Sequence, residues 1–273
     1  MALIEPFCTE EIKRAMRGMR KDSSPGWDGI PIALLADAWV PVRLPDGSVH
    51  RVHVLIDKLT KLFNVILSTS KVPVDWVRSV VSFIAKPGRD ATQPSSYRPI
   101  SVCPALYRLF FKTMQKRLQD FCQVRRLLCD SQMAYRPGIG LDMAHMLLHA
   151  ARDSVTAAKQ TLLVAKVDVK GAYDNVRHDV LWEKLLGMGV PEPLLALLRH
   201  AYDNSQAHVR GAGGCTRDSY HRQVGLLQGC PVSPDPSAVQ LVHSPGFERT
   251  AGSRCRGGGP YQSGEVAYDR LCR

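Results

Sequence analysis

Residues 161–169 read TLLVAKVDV, an apolar run rich in β-branched side chains that ends beside an aspartate. The run predicts a buried strand with Asp168 at its C-terminal end. A carboxylate there meets solvent while the strand holds it rigid, which suits the metal ions of phosphoryl transfer. An aspartate in that position also caps helices or ends strands with no ligand at all. Asp168 alone leaves both readings open.

Working outward, the spacing of apolar residues predicts helices over 10–19, 55–67, 104–121 and 141–159, and over 176–188 and 191–203 after the strand. Thr9 is the expected N-cap of the first. Pro104 opens the third, with Lys112, Lys116 and Arg117 on its polar side. Residues 79–85 (SVVSFIA) predict a strand entering a turn at Pro87-Gly88. Residues 206–210 and 219–225 predict two further strands around a flexible Gly211-Ala212-Gly213-Gly214 loop. Helices interleaved with short strands point to an α+β architecture.

The chain of 273 residues carries 36 Lys and Arg against 25 Asp and Glu, a formal charge of +11. That excess is the footprint of a nucleic-acid binder. It is concentrated between Lys71 and Arg126, where 11 basic residues face 3 acidic ones. No apolar run is long enough to span a bilayer, and Glu5 and Pro6 stand where a signal peptide would be basic or apolar. The eight cysteines form no C-x2-C pair and no zinc spacing with histidine. They read as reduced intracellular thiols, with no zinc.

Six short segments then follow one another in order: SSPGWDGIP (23–31), KPG (86–88), YRPIS (97–101), QMAYRPG (132–138), DVKGAYDNV (168–176) and GLLQGCPVSP (225–234). Together they resemble the reverse transcriptases of non-LTR retrotransposons, over about residues 5–234. The resemblance implies a right-hand polymerase fold, with a fingers-like region over 1–160 and a partial palm over 161–234. It implies RNA-templated DNA synthesis on a DNA primer with deoxynucleoside triphosphates, Mg²⁺ as the cofactor, no membrane and a nuclear setting.

It also implies roles for individual residues. Asp168 would be the first catalytic, metal-binding carboxylate, with the Val169 carbonyl also able to face metal. Tyr173, five residues on, would be a steric gate filling the space of a ribose 2′-OH. Lys86 and Arg98 would meet the incoming triphosphate, where cations neutralise charge on the leaving group. Gln228 and Gly229 would support the nascent base pair, and Arg136 would touch nucleic acid. Asp174 reads instead as an N-cap.

Two departures stand out. Ile139-Gly140-Leu141 replaces the arginine and hydroxyl residues usual after Arg136-Pro137-Gly138. After Pro234 the family continues as an apolar helix and a Tyr-x-Asp-Asp hairpin, whereas Asp235-Pro236 follows here and no Asp-Asp pair occurs downstream. Tyr268-Asp269 lies near the expected distance, with Arg270 where the second aspartate belongs. Residues 243–273 hold six glycines and only Val266 and Leu271 as aliphatic residues, so 235–273 is expected to be an irregular tail. Loss of reading frame after Pro234 is the expected cause, and impaired polymerase activity the expected result. A non-catalytic nucleic-acid-binding remnant and an inert pseudogene product stay open as alternatives.

Overall fold

A computed structural model of the chain describes residues 3–128, 133–134, 138–167, 169, 171–211, 213–227 and 229–232. Within them helices and short strands alternate, as the α+β expectation has it. Helix α1 (Thr9–Arg17) buries Ile12, Ala15 and Met16 on one face. Its N-cap is Cys8 and not Thr9; the Glu11 carboxylate reaches back to accept the Cys8 N–H at 3.0 Å, satisfying a backbone donor that the helix cannot. Short α2 (Ile32–Ala36) leads into a hairpin of β1 (Trp39–Arg43) and β2 (Val49–His53), which alternation did not predict. Helix α3 (Ile56–Thr69) and the long α4 (Ala105–Val124) match their expected positions.

The main sheet holds β3 (Arg78–Ala85), β4 (Tyr97–Val102), β5 (Gln206–Gly211) and β6 (Gly214–Cys215) in the order β4-β3-β5-β6. Strands β3 and β4 form an antiparallel hairpin from Val80↔Val102 to Ala85↔Tyr97. Strand β5 runs parallel to β3 in the register Val80↔His208. Helices α5 (Leu141–Ala157), α6 (His178–Gly187) and α7 (Glu192–Asp203) complete the order. The core lies among the helices and the N-terminal segment: Phe7, Phe63, Trp76 and Phe110 meet largely edge to face, Phe63 and Phe110 at 5.2 Å and 89°. That geometry sets ring edges against ring faces and ties the N-terminal segment, α3 and α4 into one cluster.

Four expectations change. Residues 161–167 form no strand, and Leu163 and Val167 are 90 and 86% exposed. A strand exists only through a ladder to a neighbour, and no described residue pairs with this segment. The flanking palm segments of the resembled family would follow Pro234, outside the described residues. Arg117 does not sit on the polar side of α4: its side chain is 3% exposed and ion-paired to Glu11. Residues 219–225 make only two isolated bridges, Tyr220↔Ala207 and Val224↔Arg177. Gly211 and Gly214, expected in a flexible loop, instead pair with each other at the ends of β5 and β6.

Candidate active site

The β3–β4 hairpin carries two of the expected cations. Its ladder continues past Ala85 through the Lys86 N–H, which donates to the Ser96 carbonyl at 2.8 Å. The Lys86 ammonium folds back along the turn to the Ser95 carbonyl at 2.7 Å. Arg98 is exposed opposite Ile84, and alternation along the strands places Lys86, Ile84 and Arg98 on one face. Arg98 makes no ion pair among the described residues, so its guanidinium is available to an anion. The hairpin's far end is internally braced. Tyr97 donates its O–H to Ala91 O at 2.9 Å, and Asp90 accepts from the Thr92 N–H and hydroxyl. Those bonds, the backbone one foremost, hold the Asp90 carboxyl below its ordinary value.

The base of the hairpin is where separated segments meet. Gly229, at φ +126°, lies so close to Ser101 that a Cβ would sit 2.2 Å from its carbonyl oxygen. Gly225, at φ +84°, also lies close to Asp174, with 2.8 Å from a Cβ to that carbonyl. Only glycine combines such a backbone with such an approach. Around it the Leu226 N–H donates to Tyr173 O and the Gly225 N–H to Val176 O, both at 2.8 Å. His178 Nε2 lies 2.8 Å from Gly225 O, so that nitrogen carries the hydrogen. Tyr107 donates its buried hydroxyl to Cys230 Sγ at 3.3 Å. Gly26 closes the other side: a Cβ there would lie 2.5 Å from Pro104 Cα. Arg108 secures that contact by donating to Ser23 Oγ at 3.0 Å and Ser24 O at 2.9 Å.

Residues 23–26, 101–108, 173–178, 225–227 and 229–230 are thus held together by short, specific contacts, although up to about two hundred positions apart in sequence. Burial pushes the Cys103 thiol far above its ordinary range and keeps it neutral. Tyr173 is half-buried against the core, with its backbone carbonyl tied to Leu226.

Of the expected site residues, Lys86, Arg98, Tyr173 and Gly229 lie on this hairpin and junction, and Val169 is half-exposed beside it in sequence. Asp168, Gln228 and Arg136 lie outside the described residues. Among the described residues no group of three His, Cys, Asp or Glu side chains converges to hold a metal. The described residues by themselves therefore do not make a complete metal site. Arg108 and Gly26 carry no site signal in the sequence. An arginine on a predicted helix face reads as solvated surface, and a glycine between Pro25 and Trp27 reads as an ordinary turn.

The reverse transcriptase (RNA-dependent DNA polymerase) family model matches residues 84–250. The probable RNA-directed DNA polymerase from transposon BS of Drosophila melanogaster is 30% identical over 85% of this chain and 24% of its own length. The Pol polyprotein of the type-1 retrotransposable element R2 of Popillia japonica is 29% identical over 90% of this chain and 32% of its own. The chain thus spans a quarter to a third of these relatives. A solved telomerase from Candida tropicalis, in complex with a fragment of telomeric RNA, aligns with a TM-score of 0.37 at 16% identity. That alignment covers 78% of this chain and 40% of the telomerase chain.

Proposed function

The chain belongs to the reverse transcriptase family, of the kind carried by non-LTR retrotransposons, and from that premise we propose that it forms the nucleotide-binding fingers and first part of the palm of an RNA-copying DNA polymerase. The observation that carries this reading is the convergence of residues 23–26, 101–108, 173–178, 225–227 and 229–230 at a hairpin bearing two cations.

Each part then has a task. Lys86 and Arg98 bind the triphosphate of an incoming deoxynucleotide; the guanidinium can grip phosphate oxygens in pairs, and both charges offset negative charge building on the leaving group. Tyr173, braced through its backbone against Leu226, is the surface against which a ribose 2′-OH is excluded. Gly229 brings main chain close to the nascent base pair, with Gln228 supplying a side chain there and Arg136 a contact to the template. The family uses divalent metal ions; Mg²⁺ suits the hard oxygen donors of Asp168 and the Val169 carbonyl and supplies charge neutralisation on the triphosphate when bound. RNA template and DNA primer are the partners, in the nucleus.

The sequence has no Tyr-x-Asp-Asp segment, so the chain by itself is a poor catalyst. Primer extension on an RNA template, run beside an Asp168→Ala variant, tests this. Weak extension that vanishes in the variant is expected. Efficient extension that persists in the variant contradicts the assignment of Asp168.

A further inference from the structure

The segment around Trp27 is held more firmly than an exposed turn requires. Gly26 is wedged against the Pro104 backbone, and Ser23 and Ser24 are gripped by Arg108. The Gly29 N–H closes a turn onto Gly26 O at 3.1 Å, and Asp28 accepts the Ile30 N–H at 3.1 Å. This bracing presents one large side chain. Trp27 stacks on His208 with centroids 4.4 Å apart and planes 25° apart. His208 is itself only 7% exposed, locked by its Nδ1 against Thr216 O at 3.1 Å and by its place in β5 beside Val80. Yet Trp27 is 42% exposed. A ring with one face covered and that much surface open offers its other face to solvent.

The surroundings say what that face would meet. Alternation puts Arg210, which is exposed, on the same face of β5 as His208. The Val80↔His208 and Ile84↔Arg98 registers put Arg98 on that sheet face too, roughly 13 Å further along β3 at the rise of a strand. A flat aromatic face on the sheet side that also carries Arg210 and Arg98, on a chain of charge +11, matches how proteins hold single-stranded nucleic acid. Bases stack on aromatic rings while cations follow the phosphates.

We infer that Trp27, backed by His208, is a stacking platform for an unpaired base of the template strand, with Arg210 contacting the neighbouring phosphate. The word template rests on the reverse-transcriptase reading; the stacking itself requires only a single-stranded nucleic acid.

The test is binding of a labelled oligouridine by the full chain, with heparin as a polyanion that has no bases. Trp27→Ala is expected to weaken oligouridine binding roughly 5- to 150-fold, the range of one base stacked on an aromatic ring. Heparin binding and the salt dependence of oligouridine binding should stay unchanged. Trp27→Phe keeps most of the affinity, whereas Trp27→Leu, which still covers His208 but has no aromatic face, loses it. The inference is overturned if the parent chain does not bind oligouridine. It is equally overturned if Phe and Leu variants bind alike, or if heparin binding falls in step. Intact stacking without any nucleotide selection on a primer–template would sink the polymerase reading and leave the platform standing. The opposite pattern would remove the platform alone.

Discussion

Arg117 and Glu11 show how a charge can be structural in a chain whose charge otherwise reads as functional. The guanidinium donates to Glu11 Oε1 at 2.7 Å and Oε2 at 2.8 Å, to the carbonyls of Glu5 and Pro6, and lies 4.2 Å over the Phe7 ring. Removing one partner strands a buried charge, so Glu11→Ala should cost about 3–5 kcal/mol of stability, measured by denaturant unfolding. Burial works against the Glu11 carboxylate, but the bonds from Arg117 and the Cys8 N–H outweigh it and hold the group below its ordinary value of 4.5. Its contribution is therefore whole above that value and is lost as pH falls through the lower folded one. Unfolding curves across the acid range should show this loss in the parent and lack it in Glu11→Gln. Gly229 makes the complementary case. A methyl group there meets the Ser101 carbonyl in a backbone region closed to alanine, so Gly229→Ala should destabilise the chain by roughly 1–3 kcal/mol.

The β3–β4 hairpin was half legible in advance. Residues 79–85 form a short apolar, β-branched run of the kind strands use, and the turn after them is written in Pro87-Gly88. Strand β4 was not, because Tyr97-Arg98-Pro99 looks like a loop until a partner supplies its ladder. Residues 161–167 are the reverse: strand-like in composition, yet exposed where no described neighbour pairs with them. Composition reports what a segment can bury, and only the neighbour decides whether it does. Leu163→Lys and Val167→Lys should accordingly change stability by less than about 0.5 kcal/mol; a cost typical of core residues would show that the segment is packed. On the hairpin itself, Lys86→Ala and Arg98→Ala should each weaken deoxynucleotide binding roughly tenfold or more, the worth of a hydrogen bond to a charged group. Unchanged titrations would remove those residues from the site.

At the scale of the whole molecule, the excess of basic residues was legible and its distribution was not. Arg117 is spent in the core, and Lys116 pairs with Asp120, so the run from Lys71 to Arg126 is less of a nucleic-acid surface than its count suggests. The order of the six short segments carries the family resemblance, because short glycine-bearing stretches must keep their places when they meet in space. What spacing could not show is that Gly26, Gly225 and Gly229 are the contacts through which they meet. The proposed function requires this junction and hairpin to select a nucleotide against a template. It is tested most directly by the affinity of the chain for an RNA-templated primer ending in a dideoxynucleotide, measured with each deoxynucleoside triphosphate in turn. The deoxynucleotide complementary to the next template base should tighten the complex, and its ribonucleotide counterpart should not. Equal affinity with all four, or with none added, would contradict the account.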